Sequence, residues 1–249
     1  MFRFDNYLTR LPEFIPSVQN IWQHNIMDTP MYAVTRKLKA LKPIFREQRR
    51  NKGDLSHNVQ MAKGFLEAAQ LLMKGGDQCS RVFFRKIAQR RSARRIFQIN
   101  DDQGSTHTDP EEVINEFVTY YQNLLGGDIR RTGVDIRTLR PWARHILSNE
   151  ESTTLMLPFT PVDVKQAVFD IDEDKAPGPD GYSSGFFKPA WPIVGQEVTS
   201  AVLDYFSTGR LLKQINTTLL AFIPKVHSSM TVSDFRPIAC CKVIYKIIA

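Results

Sequence analysis

Hydrophobic positions recur along this chain at two different spacings, and the changes of spacing mark out its predicted elements. From Met31 to Arg50, Val34, Leu38, Leu41 and Phe45 return every three or four residues among cations, which predicts a helix with one apolar face. A second helical pattern runs from about Asn58 to Met73 and stops at Gly75-Gly76. THTDPEEVINEFVTYYQNLLGG carries the strongest helix signal. Asp109 suits the N-cap, Pro110 the first helical position, and Glu112 falls three residues after the cap. Val113, Phe117, Tyr121 and Leu124 form the inward stripe, and Gly126-Gly127 ends it.

Residues 128–147 read as a basic loop, with Ser148 and Glu151 placed to cap a short turn. Thr160-Pro161-Val162-Asp163 opens another helix with Val164, Val168 and Ile171 inward. Trp191 to Phe206 is helical in pattern, with Val194, Val198, Ala201 and Tyr205 in register and Gly209 as its stop. TTLLAFI (Thr217 to Ile223), bounded by Pro224, predicts a buried strand. Pro237 is expected to open a last helix with Cys240, Ile244, Ile247 and Ile248 inward. Strands are expected only near 155–160 and 217–223, so the fold class is mainly α with a few short strands (α+β). The last apolar face reaches Ala249 without a partner, which suggests a piece of something longer.

Charge adds a constraint on partners. The 249 residues are 42% hydrophobic and 24% charged, ordinary for a folded chain, but the net charge is +7. Such a balance favours polyanions such as nucleic acid, or serves solubility alone. The 3 cysteines, Cys79, Cys240 and Cys241, are odd in number and two are adjacent, so they give no disulfide framework. None has zinc-type spacing with a histidine. The chain reads as reduced and intracellular, cytoplasmic or nuclear. No apolar run approaches the roughly 20 residues of a membrane span, and the N-terminus lacks the apolar core of a signal peptide.

Four stretches carry candidate chemistry. The first is a basic tract with Arg81, Arg85, Lys86, Arg90, Arg91, Arg94 and Arg95, no acid among them, and Phe83, Phe84, Ile87, Ile96 and Phe97 interleaved. A solvated helix face is the usual fate of such a run. Seven unneutralised cations repel one another unless a polyanion lies there, so nucleic-acid contact is the favoured reading. The second, DIDEDK from Asp170, opens like a calcium loop but puts Lys175 where glycine is required and Gly181 where a glutamate is required, so no metal site is assigned. In the third, KAPGPDGYSSGFFK, Pro179 and Gly181 alone signal a turn. In the fourth, AFIPK and DFRPIACCKVIYKIIA, a strand ends at Lys225 and Arg236 is expected at a helix start, so that two cations approach one phosphate group.

Taken in order, KAPGPDG, FF-K, AFIPK and DFRPI-CC-VIYKI resemble the beginning of a reverse transcriptase from a plant non-LTR (LINE-type) retrotransposon. KGGDQCSRVFFRKIAQRRSARRI resembles the stretch these polyproteins carry between endonuclease and polymerase, and FRFDNYL the sequence just beyond the endonuclease. The resemblance implies a helical basic linker region over 1–130, a connecting segment over 131–160, and over 161–249 the first part of the polymerase, an incomplete fingers/palm unit. It implies that Lys225 and Arg236 contact the triphosphate of an incoming nucleotide. It also implies that Gly178, Pro179, Asp180 and Gly181 order the fingers near the template. RNA template, DNA primer and a deoxynucleoside triphosphate are the implied partners, with no membrane. The intact family enzyme uses Mg²⁺ held by palm carboxylates that would follow Ala249, so this chain alone is expected to hold no catalytic residue and no cofactor, and to be unable to polymerise. The rivals are a non-catalytic nucleic-acid-binding protein working through the 81–95 tract, and a remnant without function.

Overall fold

The computed structural model describes residues 2–51, 95–126, 136–144, 147–226 and 229–249. Eight α-helices and four strands lie among them. In chain order the helices are α1 (Phe14–Trp22), α2 (Pro30–Asn51), α3 (Pro110–Gly126), α4 (Ile136–Leu139), α5 (Asn149–Leu155), α6 (Pro161–Asp170), α7 (Ser184–Thr208) and α8 (Val243–Ile248). The strands are β1 (Ile99–Asn100), β2 (Thr106–His107), β3 (Thr218–Pro224) and β4 (Phe235–Cys241), and they pair as β1 with β2 and β3 with β4. The fold is therefore mainly helical with a few short strands, as the pattern predicts. The expected helix over 58–73 lies outside the described residues.

The chain divides into two compact units. The larger holds Met1–Arg94, Phe159–Ala221 and Pro237–Ala249. Its core is built where α1, α2, α6 and α7 turn their apolar stripes inward. Six aromatic rings meet there: Phe4, Phe14, Phe45, Tyr182, Phe186 and Phe187 are all buried. Phe186 stands edge-on to Phe4 at 5.3 Å, to Phe14 at 6.0 Å and to Phe45 at 6.0 Å. Such edge contacts add to area burial because the positive ring edge meets the negative ring face. Lys37 is the buried exception on α2. Its ammonium donates to Glu197 on α7 at 2.5 Å and to the Trp22 carbonyl at 2.9 Å, which compensates its loss of water.

The smaller unit holds Arg95–Pro158 and Phe222–Arg236. β1 and β2 pair antiparallel in the register Ile99↔His107 and Asn100↔Thr106. Ile99, Val113, Phe117, Val232 and Phe235 form its core, with Phe222 4.4 Å from Phe117 and stacked on Tyr121 at 5.5 Å.

Locally coded starts follow the sequence. Ser148 and Glu151 form a reciprocal capping box on α5, and Thr160 and Asp163 form one on α6. Asp109 caps α3 through its carboxylate, which accepts from the N–H groups of Glu111 and Glu112. Gly209 ends α7 in the left-handed conformation at φ 68°.

Several expectations are corrected. α7 begins at Ser184, before Trp191, so Phe186 and Phe187 are helical and Pro189 and Pro192 lie inside the helix. The stripe Phe186, Ala190, Val194, Val198 and Ala201 is fully buried, and that burial offsets the two backbone donors the prolines lack. The residues after Pro237 continue strand β4, and the last helix spans only Val243–Ile248. Proline fits a helix start and an edge strand equally, and both strands of a two-stranded sheet are edges. β3 exists but is not buried: Leu219, Leu220 and Ile223 are exposed. No strand occupies 155–160, where α5 ends. The stretch expected as loop contains α4 and a 3₁₀ turn at Arg140–Trp142. Leu124 is exposed, because the core that α3 packs on ends at Tyr121.

Candidate functional site

The GPDG segment belongs to the larger unit and is a closed turn. The Gly181 N–H donates to the Gly178 carbonyl at 3.0 Å, Pro179 fixes the first central position, and Gly181 follows at φ 83°. The sequence calls for two glycines here, and packing explains both. The N-terminal segment runs along the turn, with the Phe4 N–H donating to the Gly181 carbonyl at 2.8 Å. A Cβ on Gly181 would stand 2.1 Å from the Phe2 carbonyl oxygen. A Cβ on Gly178 would stand 2.5 Å from the backbone nitrogen of Lys242, where β4 hands over to α8.

Asp180 sits at the head of this turn. Burial raises its carboxyl above the usual carboxylate range, while the Tyr182 N–H, at 3.3 Å, and the charges of Lys242 and Lys42 pull it back down. Burial lowers the Lys242 ammonium, opposed by Asp180. Burial also lowers Lys42, again opposed by Asp180, with Lys242, Arg46 and Lys39 adding repulsion. Lys42 and Arg46 both lie over the Phe2 ring, at 5.5 and 5.7 Å. The Lys242 ammonium donates to the Gln214 carbonyl, and Lys246 donates to the Ala176 carbonyl at 2.9 Å. Tyr182 is buried, and its hydroxyl donates to the Leu38 carbonyl on α2 at 2.8 Å. The turn is thus fastened to the N-terminal segment, α2 and α8, with one carboxyl in the field of two lysines.

Lys225 and Arg236 belong to the smaller unit, on the hairpin of β3 and β4. The Lys225 N–H donates to the Asp234 carbonyl at 2.8 Å, and its ammonium donates to the Ser233 carbonyl at 2.6 Å. That contact leaves two of its three donors for a ligand. Asp234 organises the turn. One carboxylate oxygen accepts from the N–H groups of Met230 and Thr231 and from the Thr231 hydroxyl, all at 3.0 Å, and these bonds hold it below the usual range. Arg236 is exposed on β4, not at the helix start expected for it, so no helix N-terminus adds partial positive charge beside it. The hairpin still offers two cations of complementary kind, a point charge and a planar fork, on one short piece of backbone.

Of the basic tract, Arg95 is exposed. Arg81, Arg85, Lys86, Arg90, Arg91 and Arg94 lie outside the described residues. Among the described residues no group of three or more His, Cys, Asp or Glu side chains could hold a metal ion, and no helix is long and apolar enough to cross a membrane.

Nothing local pairs Phe2, Lys42 or Lys242 with Asp180, so their place beside the turn comes from folding alone. The same holds for a histidine set among carboxylates in the smaller unit. His107 Nε2 lies 3.2 Å from Asp101, and Nδ1 lies 3.3 Å from Glu112, with Glu116 at 3.9 Å. A neutral imidazole has one N–H, so only the imidazolium donates to both carboxylates. Hydrogen bonds to Asp101 and then Glu112 raise the imidazole above its ordinary value. The stabilisation is complete below the unfolded histidine value near pH ~6.5 and is lost as pH rises through the raised folded value. The urea midpoint of the smaller unit, followed by the amide NMR signals of α3, is expected to fall above neutral pH. His107→Gln should flatten that profile. An unchanged profile in the variant would show that another group titrates.

No protein-family model matches the chain. It is similar to the Transposon TX1 uncharacterized 149 kDa protein of Xenopus laevis, with 24% identity over 198 residues. The match covers 76% of this chain and 14% of that protein's length. The chain is distantly similar to a transposon-encoded protein.

Proposed function

We propose that this chain is part of the reverse transcriptase polyprotein of a non-LTR, LINE-type retrotransposon, of the plant kind its motifs resemble. It would span the linker ahead of the polymerase and the fingers side of the polymerase itself. One observation carries the reading: KAPGPDG, AFIPK and DFRPI stand in that order in a chain similar to a transposon protein over 76% of its length. The geometry is compatible with it. The GPDG turn is a fastened elbow, suited to holding a template-side element in place, and the hairpin presents Lys225 and Arg236 outward, where a triphosphate could reach them. RNA template and DNA primer are the partners this reading names. Mg²⁺ belongs to the catalytic palm of the intact enzyme, and no residue of this chain is assigned to it.

Deoxynucleoside triphosphate binding tests the reading. A fluorescent deoxynucleotide analogue titrated against the full chain is expected to bind, with Arg236→Ala weakening binding at least tenfold and Lys225→Ala less. Charge-assisted contacts of about 1.5–3 kcal/mol justify that scale, and the Ser233 carbonyl already engages Lys225. Binding that ignores both substitutions, or no binding, would overturn the assignment of these two residues.

A further inference from the structure

α2 carries cations on two sides, and its ion pairs with acidic side chains fall on one of them. Lys37 is buried against Glu197, and Arg49 pairs with Asp5 at 3.3 Å. On the solvent side Arg36, Lys39, Arg46 and Arg50 are exposed, with half-buried Lys42 between them. At 3.6 residues per turn these five fall on one stripe, about a third of a turn round the helix from the buried Val34, Leu38, Leu41 and Phe45, with exposed Glu47 at its edge. Glu47 is the sole acid on the helix. At about 1.5 Å per residue the stripe from Arg36 to Arg50 is about 21 Å long. That length matches about six nucleotides at the ~3.4 Å rise of a stacked strand, and fewer where bases leave the stack.

The cations also crowd one another. Burial chiefly lowers the Lys42 ammonium and Asp180 opposes it, but Lys242, Arg46 and Lys39 each add repulsion, which a bound polyanion would relieve. Beside the stripe lies a hollow of about 410 Å³ with Arg36 and Lys39 on its rim. Its other wall, made of Ile21, His24 and Ile26, offers two aliphatic side chains and an imidazole.

We propose that the solvent face of α2 is a binding track for single-stranded nucleic acid, with the stripe on the phosphates and the hollow receiving an unstacked base. The proposal rests on the reading above for one thing only, that nucleic acid is the partner at hand. A single strand fits better than a duplex because the hollow suits a base that is free to leave its stack. An anionic membrane fits poorly. A surface-lying helix sinks its apolar face into the lipid, and that face of α2 is buried in the protein core.

The test uses the full chain and a labelled 20-nucleotide single-stranded RNA of mixed sequence, with anisotropy read across a salt series. Combining Arg36→Gln, Lys39→Gln, Arg46→Gln and Arg50→Gln should weaken binding at least tenfold in low salt. It should also flatten the log–log salt slope by about 3, at roughly 0.7 per lost phosphate contact. The charge-keeping set Arg36→Lys, Lys39→Arg, Arg46→Lys and Arg50→Lys should bind nearly as the parent does, which separates lost charge from lost folding. A neutralised variant that binds like the parent overturns the track. So does a parent chain that binds no RNA, or one that binds phosphatidylserine vesicles in preference to RNA. None of these variants touches Lys225 or Arg236, so nucleotide binding reports separately on the retrotransposon reading.

Discussion

Phe186→Ala should be the most damaging core substitution in the larger unit, lowering its stability by about 3–5 kcal/mol. Phe186 has no solvent exposure and meets five aromatic rings: Phe4, Phe14, Phe45, Tyr182 and Phe187. Its removal loses the transfer energy of the ring and leaves a cavity that those rings cannot fill without leaving their rotamers. The partners come from the N-terminal segment, α1, α2 and α7, so the cavity loosens every contact among them. Domains of this size hold about 5–15 kcal/mol in total, so at least a fifth of the margin would go. Urea unfolding followed by tryptophan fluorescence should show the midpoint falling with little change in slope, since Trp22 and Trp191 both belong to this unit. Phe186→Leu should lose less than half as much, because most of the volume returns. Equal losses for the two variants would mean that the aromatic edges, not cavity volume, dominate here.

The same residue shows what the sequence could and could not disclose. Signals that act within four residues were legible: the capping boxes at Ser148 and Thr160, the Asp109 cap and the Gly209 stop all appear as expected. Phe186 falls ahead of the helical pattern that starts at Trp191, because Gly185, Pro189 and Pro192 punctuate the segment around it. Burial against distant residues overrode that punctuation. The error at β4 has a related cause. Pro237 permits two local structures, and pairing with β3 selected the strand. The apolar run of β3 marks the strand but misleads on its burial, because a run of that kind does not distinguish a covered strand from an exposed one.

At the candidate site, the turn at 178–181 was legible from Pro179 and Gly181, and the hairpin partly so from AFIPK and FRPI. The surroundings of each were not. Asp180 has its charge environment set by Lys42 and Lys242, which reach it only through folding, and Lys225 meets Ser233 only once the hairpin closes. The resemblance assigns roles to positions. Which atoms are already occupied is a matter of tertiary structure.

Gly181→Ala should lower stability by about 3 kcal/mol or more, and how it does so bears on what the PGPDG motif is for. Two independent penalties combine. An L-residue at φ 83° is strained by about 1–2 kcal/mol. The added Cβ would also stand 2.1 Å from the Phe2 carbonyl oxygen, so the N-terminal segment must move. That movement strains the Phe4 N–H bond to the Gly181 carbonyl and disturbs Phe4 within the aromatic core. Gly104, also at positive φ but with nothing near its missing side chain, supplies the control. Gly104→Ala should cost only the backbone strain. If thermal melts show Gly181→Ala no worse than Gly104→Ala, the close approach of Phe2 contributes nothing and the turn is held by its own hydrogen bond. If the expected gap appears, the close approach of Phe2 accounts for Gly181 as the Lys242 backbone accounts for Gly178, and the motif's glycines serve packing before they serve any ligand.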